Sequence, residues 1–144
     1  MVDTVGESLE LAGQLRPILL RLARHLRGEI PEPVTGGQVA LLVAIEFHPG
    51  MTGQELAERE SLSVTAISGH LARLEGAQLI RRERSGDRRS VGIYLTEHGG
   101  RVLAAVRDQR TAWLARRLEE LAPDERARIR AALEPLANVS VGER

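Results

Sequence analysis

Two groups of side chains in this sequence are equipped for chemistry, and in both it is hydrogen bonding to fixed partners. The first is Asp87-Arg88-Arg89, a carboxylate beside two guanidinium groups. The second is Ser63, Thr65, Ser68 and Arg73, with Gly69 among them and His70 beside them. Short hydroxyl side chains and one long cation on one helix face suit a close approach to a DNA major groove, where donors must reach base edges. A guanidinium at the end of a projecting turn suits the negative potential of a minor groove, with a neighbouring carboxylate to orient it. The plainer reading of Arg88 and Arg89 is a pair of solvated surface arginines. No catalytic set competes with these groups. Ser68 and His70 fall on different faces of a helix, and no Gly-x-Ser-x-Gly or phosphate-binding loop occurs. The chain reads as a binding protein and not an enzyme.

Local sequence signals say what must hold these groups in place. Thr52-Gly53-Gln54-Glu55 is a capping box, which predicts a helix start with Leu56 and Ala57 on its apolar face. A polar break, Glu60-Ser61-Leu62-Ser63, leads into a second helix with Ser63 as N-cap. There Ile67, Leu71 and Leu74 repeat at helical spacing and face the core, which turns Ser63, Thr65, Ser68, Gly69 and Arg73 outward. After Gly76 the chain turns extended. Ile80 to Arg84 and Val91 to Leu95 predict a hairpin with Val91, Ile93 and Leu95 alternating inward, and Ser85-Gly86-Asp87 in its turn.

These residues resemble the MarR family of bacterial transcriptional regulators. The resemblance is carried by Leu56-Ala57-Glu58-Arg59, the helix from Thr65 to Glu75, Leu79-Ile80-Arg81-Arg82, the tip Gly86-Asp87-Arg88-Arg89 and the closing Leu95-Thr96-Glu97-His98-Gly99. It implies a mainly α fold with a small β-wing: a winged helix-turn-helix flanked by N- and C-terminal dimerisation helices. It makes Arg89 the minor-groove reader and Asp87 its brace, and leaves Arg88 for phosphate. Arg73 either contacts DNA or ties the helix to the wing through Asp87 or Glu75. Arg84, at the base of the hairpin tip, and His70 join the expected DNA contacts. Gly69 departs from the family pattern, in which a basic residue is common there. Glycine inside a helix costs about 1 kcal/mol against alanine, so it marks a close approach or a weakened site.

Residues 1–34 are expected to form an N-terminal dimerisation helix and linker, 35–96 the winged helix-turn-helix, and 97–144 the C-terminal dimerisation helices of a single structural domain. Val5, Leu9, Ala12, Leu15, Leu19, Leu22 and Leu26 make a stripe near heptad spacing, for the monomer core or for a second copy. Pro17 predicts a kink or helix restart near Arg16. Thr35-Gly36-Gly37-Gln38 opens a helix that is almost wholly apolar from Val39 to Phe47, and so is expected to be buried on all sides. Thr96 caps a long helix ending near Leu121, and Pro123 starts a last one through Ala137, with a frayed tail from Asn138.

Composition bounds the rest. One Trp, one Tyr and one Phe leave the core to Leu, Val, Ile and Ala. Net charge is zero and every basic residue is an arginine, yet Ser61 to Thr96 holds six arginines against three carboxylates, a local basic patch. The absence of cysteine excludes disulfides and thiol redox sensing. No run approaches the ~20 apolar residues of a membrane span, and no signal peptide is recognisable. The expectation is a cytoplasmic, homodimeric repressor of a pseudo-palindromic operator in double-stranded DNA, needing no cofactor, metal or membrane. The other reading is a winged-helix protein-interaction module. The resemblance further implies release by a small aromatic or phenolic effector where the first, second and fifth helices meet; Arg16, Leu20, Phe47 and Trp113 are the candidates there. A packed junction without effector is the alternative.

Overall fold

Side-chain caps fix where the helices begin. The computed structural model describes residues 4–30, 34–84, 86 and 89–141. Its elements run α1 (Thr4–Gly28), α2 (Gly36–Phe47), α3 (Gly53–Arg59), α4 (Val64–Gly76), β1 (Ile80–Arg84), β2 (Val91–Leu95), α5 (Glu97–Glu119) and α6 (Pro123–Ser140). Thr35 and Thr52 close the two capping boxes: each hydroxyl accepts from the amide three residues on, and Gln38 and Glu55 accept from the cap amides at 2.9 and 3.0 Å. Ser63 Oγ accepts from the Ala66 amide at 3.1 Å and starts α4. The fold is mainly α with a small two-stranded wing. The chain forms two compact units, Met1–Arg110 and Thr111–Arg144.

The first unit is built on α2, α3, α4 and the hairpin. Leu41, Leu42, Ile45, Leu56, Ile67, Leu71, Leu74, Ile93, Leu103 and Val106 are its fully buried side chains. Burying each contributes roughly 1.5–3 kcal/mol. The strands pair antiparallel, with Ile80 opposite Leu95 and Arg84 opposite Val91. Ile93 is also bonded on its other edge: Gly50 N donates to its carbonyl and its amide donates to Met51 O, both at 2.9 Å. Met51 thus adds a one-residue third strand.

Two helix ends are sharper than their residues announce. Gly76 is still helical, and the left-handed residue that ends α4 is Gln78, at φ 60°. Its amide donates to Glu75 O and the Leu79 amide to Leu74 O, both at 2.9 Å. This six-to-one pattern satisfies carbonyls that the helix leaves open, with Leu79 packed in the same core as Leu74. Ser61, at φ 53°, ends α3 the same way, with Leu62 N donating to Ala57 O at 2.9 Å. The α3–α4 turn is therefore pinned from both sides.

Other expectations are corrected. α1 continues through Pro17 without a restart. The carbonyl that proline leaves unbonded belongs to Gly13, which is exposed, so water can replace the lost partner. α2 is not buried on all sides within the single chain. Val39, Leu41, Leu42, Ala44 and Ile45 are buried, but Ala40 is exposed, Val43 half-buried and Phe47 70% exposed. Of the inward-alternating strand residues, Ile93 is fully buried while Val91 and Leu95 are half-buried. α6 runs on to Ser140, so Asn138 is helical and not frayed. Within the second unit, the Arg126 guanidinium donates to the carbonyls of Leu118 and Leu121, at 3.4 and 2.6 Å, and closes the end of α5. No residue of α1 or α6 is buried.

Candidate nucleic-acid interface

α4 has two unlike faces. Ile67, Leu71 and Leu74 are buried, while Val64, Thr65, Ser68, Gly69, Ala72, Arg73 and Gly76 are exposed. Ser63 stands at the start of that exposed face with its oxygen accepting from Ala66, which leaves its O–H free to donate outward. Arg73 folds back along the helix: a Cβ added at Gly69 would lie 3.6 Å from Arg73 Nη2. The guanidinium thus lies beside Gly69, at ordinary contact distance from where a Cβ would stand. His70 belongs elsewhere. It is half-buried, its Nδ1 is enclosed without a partner among the described residues, and its ring lies against Gly37 at the start of α2.

The wing is docked to α4 by charge. Arg82 Nε donates to Glu75 Oε2 at 2.7 Å, so Glu75 is tied to the wing by Arg82; the other expected tie, Arg73 to Asp87, lies outside the described residues. Arg81 pairs with Glu83 and lies over the Tyr94 ring, 4.8 Å from its centroid. Exposed pairs of this kind contribute only about 0–1 kcal/mol, and their role here is orientation. They also occupy two of the patch's carboxylates. Among the described residues Arg73 and Arg84 make no ion pair, and both are exposed. Arg89 is exposed in a bend just before β2. Asp87 and Arg88 lie outside the described residues.

The start of α5 anchors the wing from below, and it explains why threonine and glycine stand where they do. Thr96 N donates to Leu79 O at 3.1 Å, its Oγ1 donates to Gln78 O at 2.6 Å, and the same oxygen accepts from Gly99 N at 3.0 Å. A Cβ at position 99 would sit 2.1 Å from Leu79 O, so only glycine allows α5 to reach this corner. One threonine therefore caps α5 and welds it to the turn that leads from α4 into β1. Farther along, Arg107 forms a two-pronged pair with Glu46 of α2, which holds its guanidinium above the usual range.

Three of the effector candidates line two separate depressions in the first unit. Arg16 and Leu20 share a shallow groove on α1 with Ala12, Leu15 and Leu19. Phe47 lies with Ala40, Val43, His48, Arg59 and Glu60. Trp113 belongs to the second unit, half-buried beside Arg117, whose guanidinium is 5.6 Å from its ring. A further pocket of about 310 Å³ is lined by Arg27, Gly36, Val39, Ala40, Val43 and Arg110. Arg110 Nε is enclosed and has no hydrogen-bond partner among the described residues. Sequence reasoning missed Arg27 and Arg110, because nothing in their spacing sets them apart from the other arginines. It also missed Val64, because its spacing to Ile67, Leu71 and Leu74 continues the buried stripe, whereas in the structure it is 61% exposed on the first turn of α4. Among the described residues no helix is long and apolar enough to cross a membrane.

Comparison with known proteins bears on this geometry. The sequence profile of the MarR family matches residues 34–91. An uncharacterised HTH-type transcriptional regulator of Mycobacterium bovis is 32% identical over 85% of this chain and 87% of its own. Among solved structures, a protein of Pseudomonas aeruginosa proposed to be a transcriptional regulator superposes with a TM-score of 0.80. It is 31% identical, over 96% of this chain and 99% of that one. A mutant of Staphylococcus aureus MepR, bound to an oligodeoxyribonucleotide, gives a TM-score of 0.69 at 20% identity, over 90% of this chain and 96% of its own. That last likeness is one of fold.

Proposed function

The chain belongs to the MarR family of transcriptional regulators, and on that premise we propose that it is a homodimeric repressor that reads a pseudo-palindromic DNA operator. The observation that carries the reading is the exposed face of α4: short side chains from Ser63 to Gly76 and one cation, on a helix held rigid at both ends. Such a helix can lie deep in a major groove. Arg84 and Arg73 supply charge for phosphate, and Arg89, braced by Asp87, enters the flanking minor groove. The unburied apolar stripes of α1 and α6 support a second copy. Leu9 is 75% and Leu133 60% exposed in the single chain. Two-fold pairing sets two copies of α4 on successive turns of DNA, with half-sites about 10 base pairs apart.

Release by a small effector fits the pocket between Arg27 and Arg110. Two guanidinium groups and the apolar side of α2 suit an aromatic ring that bears a phenolate or carboxylate, and Arg110 Nε has a donor to give.

Ser68→Glu tests the reading. It sets a carboxylate on the exposed face of α4, where the fold does not feel it. With a labelled duplex of mixed sequence at low salt, fluorescence anisotropy should show binding by the wild type and at least a tenfold loss for the variant. The sedimentation of the two proteins should be the same. Equal binding would take α4 out of the interface. No binding by the well-folded wild type would favour a protein-interaction module on the same fold.

A further inference from the structure

We propose that α4 reads its DNA chiefly through thymine methyl groups, and that Val64 sets this preference; the inference rests on the DNA-binding reading above. In the major groove, guanine is read by arginine or lysine, adenine by asparagine or glutamine, and cytosine by aspartate or glutamate. Thymine alone offers a methyl group, which is read by apolar contact. The exposed face of α4 holds Val64, Thr65, Ser68, Gly69, Ala72, Arg73 and Gly76. It has no amide side chain and no lysine. The one carboxylate of the helix, Glu75, is engaged by Arg82 at 2.7 Å. Serine and threonine hydroxyls donate and accept, and so discriminate weakly.

Position along the helix narrows this further. Recognition helices meet base edges with their N-terminal residues. The single guanidinium, Arg73, comes nine residues after Val64, roughly 13 Å along the axis at 1.5 Å per residue. Its fold-back over Gly69 recovers about one turn of that distance and still leaves it in the C-terminal half. The leading end presents Val64, 61% exposed, next to the methyl and hydroxyl of Thr65. The core does not use Val64, whereas Ile67, Leu71 and Leu74 on the same helix are buried. Arg73 and Arg84, unmatched by described carboxylates, provide the positive charge that a DNA occupant needs.

The test removes the methyl and nothing else. Duplexes bound by the wild type are selected from a random pool. Each thymine of the best duplex is then replaced, in both half-sites, by deoxyuridine, and affinity is measured by anisotropy. One symmetric pair of replacements should weaken binding by about tenfold, the combined loss of two buried methyl contacts. Val64→Ala should bind the thymine and deoxyuridine duplexes alike. That variant folds, because the position is exposed and alanine is the better helix former. Two results would overturn the proposal while leaving DNA binding intact: full affinity for every deoxyuridine duplex, or a methyl effect that persists in Val64→Ala. Failure to bind any duplex would overturn the DNA-binding reading itself, and this proposal with it.

Discussion

Gly99 is a place where one absent methyl decides a contact. Its Cα faces Leu79 O so closely that a Cβ would lie 2.1 Å from that oxygen. Backbone cannot yield as a flexible side chain would, so Gly99→Ala should cost at the upper end of the roughly 1–3 kcal/mol typical of overpacking. Denaturant unfolding checks this, and a loss below about 0.5 kcal/mol would mean that the α5 corner is softer than its geometry. Gly99 is legible as part of a Leu-Thr-x-x-Gly pattern; the reason for the pattern, the carbonyl of Leu79 in the turn before β1, is a tertiary fact. The same holds for Arg73 and Glu75. Both are near enough in sequence to suggest a pair, but the geometry gives Glu75 to Arg82 and lays Arg73 over Gly69. His70 was read by its neighbours in sequence, although its ring is turned to Gly37 on another helix. Long side chains choose partners by space, and spacing alone does not record that.

At the scale of elements, what is local was legible. Three N-caps and the strand limits Ile80–Arg84 and Val91–Leu95 follow from signals within four or five residues, and they stand where those signals put them. Helix ends were less legible: α3 and α4 close on Ser61 and Gln78, which carry no glycine signal and bear the strain of a left-handed backbone because hydrogen bonds on either side fix it. α2 was read as uniformly apolar, and its composition cannot say that Phe47 faces outward in one copy. The apolar stripe of α1 poses the same question. Leu9→Glu costs a single chain almost nothing, because Leu9 already meets water there. Within a dimer the same change buries a charge. Analytical ultracentrifugation should therefore show Leu9→Glu as a monomer with wild-type helicity; a dimer of unchanged affinity would mean that the second copy does not cover this stripe.

For the whole molecule, net charge was a poor guide and its placement a good one. The chain is neutral, with 20 arginines against 20 carboxylates, so long-range attraction to DNA has to come from a patch. In that patch Glu75 and Glu83 are held by Arg82 and Arg81, and among the described residues Arg73 and Arg84 make no ion pair, which suits the phosphate contacts proposed for them. Affinity built this way falls as salt rises, because each phosphate contact releases condensed counterions. In the proposed dimer, specificity depends on two copies of α4 held at a fixed distance, which would couple the pairing of copies to the reading of sequence. The most direct measurement is selection of bound duplexes from a random pool at two salt concentrations. Enrichment of a pseudo-palindrome with half-sites about 10 base pairs apart, bound more weakly at the higher salt, is the predicted result. A well-folded dimer that enriches no sequence, or whose binding ignores salt, would contradict the account.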